Sequence, residues 1–171
     1  EILEDLPDAD LIIVPVGGGG LIAGIALAAK AIRPEARVVG VQAASCPSAR
    51  KALELGRPAE VQAEERGSIA DAIMVTRVGE APFPLLQKLV DDIVLVDEDQ
   101  IASAVLKLLE RKRILAEGAA AAPLAALLGG SLQVAEGIRV VLVVSGGNVD
   151  SLLLERIIAA PSPILRNASP R

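Results

Sequence analysis

The chain has 171 residues, 52% of them apolar, and 17 basic against 22 acidic side chains give a formal net charge of −5. It contains no His, Tyr or Trp, one Phe and one Cys, which excludes a Ser-His-Asp relay, a His-ligated metal centre and an internal disulfide. Without aromatic platforms or a basic stripe, nucleic-acid binding is not expected, and any chemistry must use carboxylates, Lys, Arg, Ser, backbone amides or a cofactor.

The first half of the chain predicts an alternation of strands and helices. A continuous apolar run over residues 11–16 is typical of a strand buried on both faces of a parallel sheet. Four glycines follow, and then an Ala- and Leu-rich segment predicts a helix over residues 21–32, which Pro34 ends. Residues 37–41 predict a second strand, and residues 47–55 predict a short helix.

The second half continues this alternation after a predicted loop at residues 56–67 and an ambiguous segment at residues 68–75. The predicted elements are helices over 82–90, 97–113, 117–128 and 150–158, and strands over 93–96 and 138–144. The pattern predicts an α/β fold, with an open, mostly parallel sheet and helices on both faces. We expect one domain over residues 1–160 and a disordered tail at residues 161–171.

The uncharged stretch at residues 11–29 approaches the length of a membrane span. Pro15 and four consecutive glycines would interrupt a helix there, so a strand, a loop and a helix are predicted instead. The N-terminus is acidic where a signal peptide would be basic, and the single Cys suits a reducing compartment. We therefore expect a soluble, cytoplasmic protein.

The glycine loop, residues Gly17, Gly18, Gly19 and Gly20, lies between the first predicted strand and the following helix. In open parallel sheets, ligands bind beyond the carboxyl ends of the strands. Without Cβ atoms the loop amides can converge on an anion, and the helix N-terminus adds unpaired N–H groups. The loop therefore predicts a phosphate site, and the alternative is a tight connection in which glycine only permits the turn. The spacing matches neither the P-loop nor the dinucleotide fingerprint, so a single cofactor phosphate is favoured.

A second glycine-containing loop, Ser145-Gly146-Gly147-Asn148, follows the last predicted strand and should lie at the same edge of the sheet. The Ser145 hydroxyl can donate or accept a hydrogen bond to a ligand. The same residues also suit an ordinary turn, with Asn148 in the left-handed region or capping a helix. Both interpretations stay open on the residues alone.

Five segments in order, PVGGGGLIAG, SIAD, VDDIVLVDEDQI, AEGAAAAPLAAL and VVLVVSGGNVD, run from about residue 10 to about residue 158. Together they resemble the threonine/serine dehydratase and serine racemase family, fold-type II enzymes that depend on pyridoxal 5′-phosphate (PLP). The resemblance implies that the PLP phosphate binds to Gly17, Gly18, Gly19, Gly20 and the amide of Leu21. It also implies that Ser145 and Gly146 contact the cofactor, with Ser145 hydrogen-bonded to the pyridine nitrogen. Glu117 matches an acidic position near the ring, or is simply a carboxylate favoured at a helix N-terminus.

The implied function is a lyase of amino-acid metabolism that eliminates water from threonine or serine to give a 2-oxo acid and ammonia. A racemase-like activity, a catalytically incomplete PLP- or phosphate-binding fragment and a purely structural fragment are the alternatives. The family's cofactor-binding lysine lies in a Ser-x-Lys-x-Arg-like motif upstream of the glycine loop. That motif surrounds none of the five lysines, which are Lys30, Lys51, Lys88, Lys107 and Lys112. The chain is therefore expected to be a C-terminal half, inactive without its N-terminal half and homo-oligomeric when complete.

Two departures from the family pattern bear on the site. Asp71-Ala72 stands where many relatives have Asp-Gly, and the added methyl is expected to crowd the cofactor ring. Gln42 stands where relatives with a divalent-cation site have an acidic residue, and a second acidic position falls near Ser48. We therefore expect no metal site.

Overall fold

A computed structural model describes residues 1–65 and 67–159, so the tail predicted at residues 161–171 lies outside the described residues. The strands are β1 (Leu11–Pro15), β2 (Arg37–Ala43), β3 (Asp92–Val96) and β4 (Val140–Leu142). The helices are α1 (Ile2–Asp5), α2 (Gly20–Ile32), α3 (Ser48–Leu55), α4 (Phe83–Leu89), α5 (Glu98–Lys107), α6 (Gly118–Leu128) and α7 (Ser151–Ala159).

The four strands form a parallel sheet in the order β3-β2-β1-β4. Strand β1 is buried along its whole length and pairs on both sides, with Ile13 opposite Val39 of β2 and Leu142 of β4. The carboxyl ends of β1 and β4 are therefore neighbours, and the two glycine-containing loops leave the sheet at the same edge, as predicted.

Alternate residues of β1 enter two separate cores because successive side chains of a strand point to opposite faces of the sheet. Leu11 and Ile13 belong to the core on the side of α5, α6 and α7, whereas Ile12 and Val14 belong to the core on the side of α2, α3 and α4. Helices cover both faces of an open parallel sheet, so the predicted α/β architecture is confirmed.

The helix predicted over residues 97–113 starts as expected and ends differently. Asp97 accepts a hydrogen bond from the amide of Gln100, and the Gln100 side chain accepts one from the amide of Asp97, each at 2.8 Å. The α-helix ends at Lys107 and continues as a π-helical turn, Leu108–Lys112. The amide of Ile114 then bonds back to the Leu108 carbonyl, which closes the wider turn.

Other elements also differ from the sequence predictions. The short helix α1 was not predicted, and β4 spans three residues although seven were predicted. The ambiguous segment at residues 68–75 contains a 3-10 turn, Asp71–Ile73. The uncharged stretch at residues 11–29 forms β1, the glycine loop and most of α2, as predicted. Across residues 1–65 and 67–159, no helix is both long and apolar enough to cross a bilayer.

Candidate functional site

Protein packing accounts for two of the four glycines of the glycine loop. Gly19 precedes α2 with φ of 94°, a left-handed conformation that side chains with a Cβ disfavour. A Cβ on Gly17 would lie 3.1 Å from the Val75 side chain. A Cβ on Gly18 would make only ordinary contact, at 3.7 Å, and one on Gly20 would meet no atom of the described residues within 4 Å. A tight connection therefore explains Gly17 and Gly19 but leaves Gly18 and Gly20 without a packing reason.

The same loop presents a group of free backbone donors. No side chain of the described residues caps α2, and the amide of Ala23 is the first in this region to bond, donating to the Gly19 carbonyl at 3.0 Å. Within the described residues, no protein group accepts a hydrogen bond from the amides of residues 17–22. Free N–H groups at the positive end of a helix dipole favour an anion, so this arrangement is suited to bind a phosphate.

A cavity of about 210 Å³ adjoins these amides. It brings together most of the predicted site residues: Gly17, Gly18, Gly19, Gly20, Leu21, Glu117 and Ser145. Ala72, Ile73 and Ala119 complete much of its wall. The glycine loop, Ser145 of the second loop and Glu117, which precedes α6, thus share one cavity at the carboxyl edge of the sheet.

Gly146 is not among the residues that line this cavity and instead lies against Glu117. Its carbonyl accepts a hydrogen bond from the amide of Glu117 at 3.2 Å, and a Cβ at this position would lie 2.6 Å from Glu117 Oε1. Glu117 Oε2 accepts the amide of Asn148 at 3.2 Å. The Glu117 carboxylate, at the start of α6, therefore holds the second loop in place as well as lining the cavity.

The prediction for Asn148 is wrong in both of its forms. Among the described non-glycine residues only Arg113 has a positive φ, so Asn148 is not left-handed. The helix α7 is capped by Asp150, whose Oδ1 accepts the amides of Leu152 at 2.8 Å and Leu153 at 3.0 Å. The aspartate directly precedes α7 and reaches its first amides, whereas the asparagine lies two residues earlier, where its backbone amide donates to Glu117.

A second cavity, of about 570 Å³, shares Glu117 with the first. Asp71, Asn148 and Asp150 are among its lining residues. Glu117 is thus the one predicted site residue that borders both cavities within the part of the chain that the structure describes. In the same part of the chain, no group of three or more His, Cys, Asp or Glu side chains is placed to hold a metal ion.

Sequence reasoning missed the segment that packs behind the glycine loop. We call residues 73–79 the supporting segment, because Ile73, Val75 and Val78 all contact the positions where loop Cβ atoms would stand. Its last residue, Gly79, donates its amide to the Gly18 carbonyl at 3.0 Å. The sequence offers only a weak signal for this contact, a lone glycine after an apolar stretch.

Comparisons with known proteins agree on one family. Residues 1–146 match the family described as pyridoxal-phosphate dependent enzymes. The chain is 46% identical over 158 residues to an L-threonine ammonia-lyase of Thermotoga maritima, covering 92% of this chain and 38% of that protein. The structure resembles the processed form of threonine deaminase isoform 2 from Solanum lycopersicum, with TM-score 0.83, 30% identity and coverage of 92% of this chain and 46% of that one.

Maize serine racemase is also similar in structure, with TM-score 0.80, 33% identity and coverage of 92% of this chain and 48% of that one. The chain therefore spans less than half the length of each of these three relatives.

Proposed function

The chain belongs to the family of pyridoxal-phosphate dependent enzymes, and we propose that it is the C-terminal part of a threonine/serine ammonia-lyase. The reaction would eliminate water from a hydroxy amino acid and give a 2-oxo acid and ammonia. The similarity to a threonine ammonia-lyase at 46% identity supports the lyase. The similarity in structure to a serine racemase keeps racemisation as the second candidate.

The observation that carries the proposal is the set of free amides at residues 17–22 beside the 210 Å³ cavity. These donors fit a phosphate group, because backbone N–H groups and a helix N-terminus can hold an anion without any basic side chain. Among the described residues no contact explains glycine at positions 18 and 20, whereas a phosphate that approaches the backbone closely would require glycine there. Leu21 would contribute the next amide along the helix.

When bound, PLP supplies an electron sink for the charge that develops at the substrate α-carbon. Ser145 would hold the pyridine nitrogen through a hydroxyl, which can donate or accept a hydrogen bond and does not force that nitrogen to stay protonated. Gly146 would act indirectly, since it lies against Glu117 rather than in the cavity wall. Glu117 would hold the second loop, and with it Ser145, in position through its hydrogen bonds to Gly146 and Asn148.

The cofactor-binding lysine would come from an N-terminal half, because the five lysines of this chain lack the family motif. The chain alone is expected to bind the phosphate end of PLP without turnover, and the completed enzyme is expected to be a cytoplasmic homo-oligomer.

Binding by the isolated chain is tested by titrating it with PLP and following the absorbance and fluorescence of the cofactor, which no Trp or Tyr obscures. Gly20→Asp places a carboxylate among the free amides and should abolish binding. Gly24→Asp is the matched control, because it adds the same charge to the same helix, one turn further on, and its Cβ also meets nothing within 4 Å. Equal PLP affinities of the two variants would show that the glycine loop does not bind the phosphate.

Turnover is tested by combining the chain with an N-terminal half that carries the lysine motif and supplying PLP and threonine. The proposal expects 2-oxobutanoate from the assembled protein and none from this chain alone. A folded complex that binds PLP and releases no 2-oxobutanoate would contradict the lyase, and formation of D-serine from L-serine would favour the racemase.

A further inference from the structure

We propose that Gln42 and Ser48 are positioning residues, which hold the supporting segment against the glycine loop and so set the placement of its amides. This inference rests on the proposed function for its ligand, the phosphate of PLP. It concerns residues that line no part of the 210 Å³ cavity.

The supporting segment touches the glycine loop along most of its length. A Cβ on Gly17 would lie 3.2 Å from the Ile73 Cα and 3.1 Å from the Val75 side chain. A Cβ on Gly19 would lie 3.3 Å from Val78. With the bond from the Gly79 amide to the Gly18 carbonyl, these contacts leave the loop little freedom to move toward the segment.

The supporting segment is itself held by a buried polar pair. Gln42 and Ser48 are both fully buried, with no exposed surface. The Ser48 hydroxyl donates to the Val75 carbonyl at 2.5 Å and accepts from Gln42 Nε2 at 3.3 Å. Val75 packs on Gly17, so two hydrogen bonds in series connect Gln42 to the part of the supporting segment that contacts the glycine loop.

Gln42 is fixed in turn by the start of α3. Its Oε1 accepts the amides of Ala49 at 2.9 Å and Arg50 at 3.0 Å, two of the free N–H groups at that helix N-terminus. Gln42 lies near the carboxyl end of β2. Its side chain therefore connects the sheet to α3 directly and to the supporting segment through Ser48. The hydrogen bonds of this buried pair are satisfied in the observed arrangement, and moving either residue would leave buried polar groups unpaired. The pair therefore fixes the position of the supporting segment.

The pair should therefore affect ligand affinity as well as stability. Removing the Ser48 hydroxyl leaves the Val75 carbonyl without that donor, and the supporting segment can then move away from Gly17. The loop amides would then converge less closely on the phosphate. We expect PLP affinity to fall roughly tenfold, which corresponds to weakening about one hydrogen bond to a charged group.

The test compares Ser48→Ala with Ser103→Ala in the full 171-residue chain. Ser103 is an equally buried serine whose hydroxyl donates to a backbone carbonyl, that of Asp99, at 2.7 Å within the α5 region. Each variant is measured for its urea midpoint, its PLP affinity and, without ligand, the hydrogen exchange of the Gly79 amide. We expect a roughly tenfold loss of PLP affinity only in Ser48→Ala. We also expect Gly79 exchange to accelerate in Ser48→Ala by more than its loss of global stability, measured by the urea midpoint, accounts for, and not to do so in Ser103→Ala.

The outcomes separate the two proposals. If the unaltered chain does not bind PLP, the proposed function fails, while the exchange of Gly79 in the ligand-free variants still decides the positioning role. If Ser48→Ala and Ser103→Ala show the same affinity and the same Gly79 exchange, the positioning role is overturned. Should Ser48→Ala fail to fold, Gln42→Met replaces it, because it keeps a side chain of similar size and removes the amide that bonds Ser48 and the start of α3. An unchanged Gly79 exchange in Gln42→Met would also overturn the inference.

Discussion

Replacing Gly118 by alanine tests how closely the first turn of α6 packs on the segment that leads into the cavity wall. A Cβ at Gly118 would lie 2.1 Å from the Ile69 carbonyl oxygen, 2.5 Å from its carbon and 2.9 Å from the amide nitrogen of Ala70. All three atoms belong to the backbone, so no rotation of a side chain relieves the overlap. Overpacking of this kind costs about 1–3 kcal/mol, and the rigid neighbours here place Gly118→Ala at the upper end.

Gly24→Ala is the matched control for this change. Gly24 is inside α2, and a Cβ there would meet nothing within 4 Å. Alanine should therefore stabilise the protein by about 0.5–1 kcal/mol through its helix propensity. The two substitutions are chemically identical and are predicted to change the free energy of unfolding in opposite directions.

Urea unfolding followed by far-UV circular dichroism measures both variants. With a typical denaturant slope of ~2 kcal/mol per molar urea, Gly118→Ala should lower the midpoint by about 1–1.5 M and Gly24→Ala should raise it by about 0.3–0.5 M. A Gly118→Ala midpoint equal to or above that of the unaltered chain would refute the close approach of Ile69 to α6.

Ala72, Asp10 and Cys46 offer further tests of the cavity and of the packing around it. Ala72 lines the cavity, and its methyl is expected to crowd the cofactor ring, so Ala72→Gly should increase PLP affinity several-fold in an absorbance titration. An unchanged or lower affinity would show that the methyl does not crowd the ring. Asp10 accepts the backbone amide of Arg139 at 2.8 Å and Arg33 Nη2 at 3.2 Å, so Asp10→Ala should lower the free energy of unfolding by about 1–3 kcal/mol, measured in urea. Burial raises the pKa of the Cys46 thiol, so at pH 8 a thiol reagent should label the native chain far more slowly than the urea-unfolded chain; equal rates would contradict the packing around α3.

Much of the fold was predictable because apolar runs and glycine loops are local signals. The buried run at residues 11–16 and the four glycines after it predicted β1, the turn and α2, and the structure places all three as expected. Both loops follow strands of a parallel sheet, so their meeting at one edge was predictable too. The length of β4 was not, because the ends of an edge strand depend on its neighbour, and only three residues of the apolar run pair with β1.

The parts of the site that sequence reasoning missed depend on contacts between distant residues. The hydrogen bond from Ser48 to Val75 joins positions 27 residues apart, and Gly118 meets Ile69 across a larger separation. Gln42 was read only as a departure from an acidic position, whereas its amide bonds the start of α3. A periodic pattern carries no information on such pairings, since each depends on which distant segments the fold brings together.

The central claim is that backbone amides of the glycine loop, at the N-terminus of α2, hold the phosphate of PLP. An amide-resolved NMR titration of the ¹⁵N-labelled chain with PLP tests it most directly, with inorganic phosphate as a second ligand. We predict that both ligands shift the amides of residues 17–21, and that PLP alone also shifts those of Ser145 and Gly146. Saturable PLP binding that leaves the amides of residues 17–21 unchanged would contradict the account.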